Sequence, residues 1–525
     1  MNNRLQKMWC GVAAMLDRLG NRPRLLLLLF AGIYFVGFSL IASKGVISND
    51  ELFTLYIARL PHFRDVWAAL ATGAEQTPPL FYAVSRADIK LFGTSGLALR
   101  LPEMLAFFLM GAVLFHIVAR RTSPVYGFLA LLFPFMTTAF NYVFEARAYA
   151  LVLCFSVTGL LCWIWATEGR HRVPALVGLA LSLAAAISSH YYAVLSLFPI
   201  GLGEAVRTFR RKKIDVGVWL ALLLSLSPLV AFLPLIESAR KFAPHFWSKP
   251  HWSSIVYFYD YFLLTPSVIP LLAILLVVVA SSVFRKPAED TSEAGTLKSV
   301  PEHEIAGVLG FLMIPAVGIV LAKTAVGAFS DRYALPAVIG LCIVIAWGLH
   351  SVLRGQRVVA VGLGLLLLAF LVVKEVNTWR RTGAYRALQA STYSFLETYA
   401  RGNAPIVISG PLNFAELTYA PPRNLAGRLT YLADPRLALQ YSGTDDAEKG
   451  LVEMQQWAGL NVLPFHTFVA SGRACYIYVD NFPDQHKWTI PELRALNWRL
   501  TLVAWQQDMI LFRATPIGKA SGAGD

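Results

Sequence analysis

The sequence predicts a polytopic α-helical membrane protein with a C-terminal soluble α/β domain, and three observations support this. The 525 residues are 56% hydrophobic and only 15% charged, whereas soluble chains carry about 25% charged residues. Apolar runs of roughly membrane-spanning length recur, each flanked by basic clusters. From about residue 377 onward the composition shifts to short β-rich runs and helical patterns. The net charge of +14 is spread over short loops between runs. It therefore reads as topology and lipid contact, and no nucleic-acid partner is expected. Cys154, Cys162 and Cys342 lie inside apolar runs, Cys10 in the N-terminal tail and Cys475 far downstream, so neither a disulfide framework nor a zinc spacing emerges.

Residues 1–24 carry Arg4, Lys7, Arg18, Arg22 and Arg24 and read as a cytoplasmic tail under the positive-inside rule. Within it, residues 8–19 are weakly amphipathic and suited to the membrane surface. The expected membrane domain covers 25–376, with runs near 25–43, 97–118, 124–142, 148–166, 174–188, 191–206, 216–236, 258–283, 305–322, 333–352 and 358–376. An odd number of spans, eleven, puts the C-terminal region opposite the N-terminus. It also puts the basic clusters near 120, 170, 207–213, 285 and 354 on the inside. The first outer loop, 44–96, is long, and the polar stretch 287–304 reads as a disordered cytoplasmic loop. In the domain expected over 377–525, strands are predicted at 405–409 and 474–479, a hairpin at 499–514, and helices near 385–400 and 445–458. No cleavable signal peptide and no internal repeat is evident.

The chemistry-bearing residues fall at segment ends that this topology places on one side of the membrane. Ser48-Asn49-Asp50-Glu51 follows the first run. Capping of a helix start explains one of its acids; the functional reading makes Asp50 a general base for an acceptor hydroxyl. Arg147 and Arg332 have the fork geometry to hold a phosphate, although either could serve as an interface anchor. His190, with Tyr191 and Tyr192, could contact phosphate or sugar, against the alternative of aromatic belt residues. His245, Trp247, Lys249, His251 and Trp252 form a loop that could cover a sugar. A divalent cation could bridge Asp50 or Glu51 to a phosphate, but no ligand spacing argues for a metal site.

Three N-terminal stretches, Asn49-Asp50-Glu51, Gln76-Thr77-Pro78-Pro79-Leu80 and Leu91-Phe92-Gly93, are followed by Leu99-Arg100-Leu101-Pro102. Together they resemble the N-terminal signature of the GT-C glycosyltransferases, in particular the protein O-mannosyltransferase and aminoarabinose-transferase type. Glu145-Ala146-Arg147-Ala148-Tyr149 and Asp331-Arg332-Tyr333-Ala334-Leu335-Pro336 are also similar to segments of bacterial members. The resemblance is good over about 45–150 and thin elsewhere. It implies a GT-C membrane fold and transfer of a sugar from a polyprenyl-phosphate carrier at the outer face of the bacterial inner membrane. The acceptor would be a hydroxyl of a cell-envelope glycan, a glycolipid or a protein. It also implies Asp50 as the catalytic residue, with Glu51 beside it, and inversion at the anomeric carbon. Arg147, Arg332 and His190 are then expected on the donor phosphate, and Thr77, Tyr149, Tyr191 and Tyr333 on substrate. Aminoarabinose transferases usually carry a lysine where Thr77 stands, which leaves the sugar open. The rival classes are a transporter or flippase for a lipid-linked sugar, and a membrane scaffold acting through 377–525. A transporter would place its charges near the midplane and show repeats.

Overall fold

The computed structural model describes residues 3–283, 300–480 and 488–517. Every one of the eleven apolar runs is helical, but not every one is a single long helix. Six helices among the described residues are long and apolar enough to cross a membrane, or up to eight if each of two bent pairs counts as one span. Pro124–Met136 and Ala337–Val352 are shorter apolar helices, and the sixth run divides into a 3-10 turn, Tyr191–Ser196, and the helix Leu197–Arg211. The ninth run bends by 56° between Glu302–Leu312 and Ile314–Val326, at Pro315, whose missing N–H breaks the hydrogen-bond ladder. The chain is a multi-pass membrane protein.

Contacts divide the chain into two compact units, Met1–Ser43, Thr77–Leu233 and Lys249–Arg380 in one, and Lys44–Gln76, Pro234–Ser248 and Arg381–Asp525 in the other. In the first, Phe30, Tyr34 and Phe38 recur at helical spacing along Pro23–Lys44 and are fully buried. Their rings meet Phe108 and Phe135 at centroid distances between 4.8 and 6.1 Å when Tyr34–Phe38 is included, and the Tyr34 hydroxyl donates to the Met104 carbonyl at 2.6 Å. At another helix crossing, a Cβ on Gly203 would lie 2.5 Å from the Trp163 ring and 2.8 Å from the His303 carbonyl, so only glycine permits this approach. The Trp163 indole donates to buried Glu204 at 3.0 Å. Lys374 donates to the Phe135 and Thr137 carbonyls, at 2.9 and 3.0 Å, satisfying the end of Pro124–Met136 where no further helical N–H follows.

The polar stretch expected to be disordered, 287–304, lies outside the described residues as far as 299. Its last residues correct the expectation: Glu302, His303 and Glu304 open a helix after Pro301. Acids favour that end of a helix, and buried Glu304 is bound by Arg121 Nε at 3.1 Å.

The second unit is built on a six-stranded sheet of order β3-β2-β1-β4-β6-β5. The strands are β1 Ile406–Ile408, β2 Leu429–Ala433, β3 Val462–Pro464, β4 Cys475–Asp480, β5 Trp498–Gln506 and β6 Met509–Pro516. Strands β1 to β4 pair in parallel, while β6 runs antiparallel to both β4 and β5. The expected hairpin is β5–β6, closed by Gln507-Asp508 with Gln507 at φ 50°. The expected helix near 385–400 is the end of one continuous helix, Arg357–Tyr399. The expected helix near 445–458 is Asp446–Ala458. Val407, Leu432, Ile477, Phe465, Trp488 and Trp498 form the buried core. Helix Asn49–Ala58 packs against Pro411–Tyr419 and Asp446–Ala458, and the Trp457 indole donates to Thr72 at 3.4 Å. The loop read as 44–96 is thus split by its contacts after Gln76.

Candidate functional site

The first unit gathers five of the expected residues into one cluster. His190 ends helix Arg172–Ser189 in extended backbone, where its Nδ1 accepts the Tyr192 backbone N–H at 3.2 Å. Its ring lies 4.8 Å from Tyr333 and 5.4 Å from Tyr149, centroid to centroid. Tyr192 stacks on Tyr333 at 4.6 Å and donates its hydroxyl to the Ala328 carbonyl. The Arg332 guanidinium stands 5.7 Å above the Tyr149 ring, a cation–π arrangement. Tyr149 opens the helix Tyr149–Thr167, while Arg332 and Tyr333 sit in a 3-10 turn, Asp331–Ala334. Segment ends, not helix faces, therefore supply the cluster.

The electrostatics identify what surrounds His190. Burial, then Arg147 and Arg332, push its imidazole down to about 3, so it is neutral at physiological pH. Arg147 is itself buried. A neutral imidazole, phenols and two guanidiniums at a segment-end surface make an anion-holding arrangement. Tyr191 lies in the adjoining turn. Thr77 is buried just before the helix Pro79–Phe92, which the Pro-Pro pair opens.

Asp50 and Glu51 belong to the second unit. Glu51 is buried and closes a capping box: its Oε2 accepts the Ser48 backbone N–H at 2.9 Å and the Ser48 hydroxyl at 3.1 Å. The cap thus occupies Glu51, while Asp50 is half-buried on the same first turn. Next to them stands a residue the sequence reading missed. Glu416, on Pro411–Tyr419, accepts the Asn49 N–H at 3.2 Å and the Tyr385 hydroxyl. Burial raises its carboxyl, with Glu51 adding to the rise and both hydrogen bonds opposing it. Nothing in sequence flags Glu416, because its partner is 367 positions away. A cavity of about 370 Å³ opens here, lined by Asn49, Glu416, Asn413, Tyr478 and Asp480 among others. It lies by the C-terminal ends of β1 and β4, where the strand order reverses and α/β sheets commonly take ligands.

From the loop expected to cover a sugar, His245 is engaged elsewhere, its Nδ1 lying 3.0 Å from Asp445. Trp252 carries Lys323 over its ring at 5.3 Å. Among the described residues no group of three or more His, Cys, Asp or Glu side chains could hold a metal.

Comparison with solved structures bears on this architecture directly. The ArnT protein of Cupriavidus metallidurans in its apo state matches with a TM-score of 0.53 over 93% of this chain and 97% of that one, at 14% identity. The same protein bound to undecaprenyl phosphate matches over the same shares at 14% identity, with a TM-score of 0.52. The chain has the GT-C fold. Residues 76–236 also match the family described as dolichyl-phosphate-mannose-protein mannosyltransferase. No curated protein matches by sequence. The GT-C helices and the small C-terminal sheet agree with the fold class expected above.

Proposed function

We propose that this GT-C protein transfers a sugar from a polyprenyl-phosphate carrier to a hydroxyl acceptor. The observation that carries the reading is the His190 cluster, in which two guanidiniums stand by a neutral imidazole and three phenols. A departing phosphate monoester needs such preorganised cations, since charge develops on it as the sugar leaves. The carrier is taken from likeness: the ArnT structure holds undecaprenyl phosphate. In the proposed step the acceptor oxygen bonds to the anomeric carbon and the bond from that carbon to the phosphate oxygen breaks. The acceptor proton passes to Asp50. Arg147 and Arg332 hold the phosphate, with His190, Tyr149, Tyr191, Tyr333 and Thr77 shaping the donor site. Glu51 fixes the Asp50 turn through its cap.

The same reading places the N-terminal tail in the cytoplasm and residues 377–525 outside a bacterial inner membrane. The testing experiment reconstitutes the full chain with a polyprenyl-phosphate sugar and follows release of polyprenyl phosphate. Release by the wild type that is lost in Asp50→Asn, with the protein still folded, supports the assignment. Wild-type release by Asp50→Asn overturns the role of Asp50, and translocation of the lipid without release favours a transporter.

A further inference from the structure

The strongest feature that the proposed reaction leaves unused is a basic cavity of about 720 Å³ in the membrane unit. Arg172, Arg207, Arg210, Arg211 and Lys213 line it, against the carboxylates of Glu168 and Asp215. Glu168 is spent on arginines outside the lining and Asp215 on Arg172 and Arg207, which leaves Arg210, Arg211 and Lys213 as the cations open to a ligand. Glu168 is held by Arg120 at 2.7 Å and Arg121 at 3.0 Å. Asp215 is held by Arg172 at 2.5 Å and Arg207 at 2.9 Å, and Arg207 is held in turn by fully buried Glu204 at 2.9 Å. These pairs fix the walls. At the rim, Arg210 meets the exposed Glu302 at 2.6 Å, the kind of surface pair worth little. Arg211 and Lys213 are exposed and have no carboxylate partner among the described residues.

The position separates this cavity from the His190 cluster. Arg172 starts, and His190 follows, the 18-residue helix Arg172–Ser189. That helix is about 27 Å long at 1.5 Å per residue, close to the hydrocarbon thickness of a bilayer. The cavity therefore sits at the other membrane surface.

Its surroundings distinguish a lipid from a free anion. Phe209, Ile214 and Val216 are 81%, 63% and 71% exposed beside the rim cations. Phe209 and Ile214 also line a second cavity of about 390 Å³ that shares Arg210 and Lys213 with the first. Cations interleaved with bare apolar side chains match the boundary between headgroups and acyl chains. We infer that this cavity binds the phosphate headgroup of an anionic membrane lipid, with the acyl chains along Phe209, Ile214 and Val216.

The test uses the full chain in detergent micelles, with bound lipid read by native mass spectrometry and without any transfer assay. Phosphatidylglycerol is titrated against phosphatidylcholine, for the wild type and for R211Q/K213Q, whose exposed positions leave the buried pairs intact. Preferential retention of phosphatidylglycerol is expected, weakened about thirtyfold in the double variant, at about one factor of five to six per basic side chain. Equal retention of both lipids, or unchanged retention by a folded R211Q/K213Q, overturns the inference. Displacement of phosphatidylglycerol by equimolar inorganic phosphate would assign the cavity to free phosphate instead.

Discussion

The His190 cluster and the Asp50 corner are both assembled from segment ends, yet they are opposites in chemistry. Around His190 the titratable side chain is driven to its neutral form by burial and by two arginines. Around Asp50 the neighbours are acids and hydrogen-bond donors: Glu51 in its cap, and Glu416 receiving Asn49 and Tyr385. In the proposed reaction the first would hold an anion and the second would take a proton, and each is built from the side chains that role needs. Phenols and a neutral imidazole line the cationic cluster. The acidic corner is pinned by backbone N–H groups, which keep a carboxylate oriented.

The largest expected effect breaks the acidic side of this comparison. Asp50→Asn should lower polyprenyl-phosphate release by about 10³-fold, within the range for a lost general base. Glu51→Gln should act mainly on the cap, costing about 1 kcal/mol of stability with a smaller loss of transfer; thermal unfolding measured beside turnover separates the two. If Glu51→Gln matches Asp50→Asn in turnover while unfolding normally, the division of labour is wrong.

Next come the cations. Arg332→Lys should lose about 10²-fold in turnover, because a point ammonium cannot replace a bidentate fork, and Arg147→Lys should behave alike. Full activity in either variant would assign that arginine to anchoring. The pH behaviour of His190 sharpens the same point. Its folded value, about 3, lies below the unfolded value near 6.5. Its contribution to stability is therefore complete above pH 6.5 and is lost as pH falls from there toward 3. His190→Gln should flatten that acid-side loss in a pH series of melting temperatures, and an unchanged slope would count against a buried neutral imidazole.

The smallest effect lies in the sheet unit. Glu448 is fully buried, accepts from Trp488 at 2.7 Å and from the Tyr431 hydroxyl, and burial raises its carboxyl to about 7. Here the sign is opposite: the stabilisation is present below the unfolded value near 4.5 and is lost as pH rises through 7. Glu448→Gln should remove this alkaline-side decline while leaving transfer at the wild-type rate.

Much of the architecture was legible because it follows from local chemistry. Leucine-rich runs spell helices, and Pro-Pro after Thr77 opens one, while the β-rich runs at 474–479 and 499–514 mark strands and a hairpin. The short strands β2 and β3 carried no comparable pattern: both are parallel strands buried or paired by distant segments. Their existence depends on partners rather than on alternation.

What the sequence determined by itself was the membrane character, the helical runs and which polar residues stand at their ends, since hydropathy and breaker residues act within a few positions. Only the tertiary structure decided that Glu416 joins Asn49 and that residues 44–76 pack with helices Pro411–Tyr419 and Asp446–Ala458. Those outcomes depend on burial against segments hundreds of residues away, and no local pattern encodes such a partner.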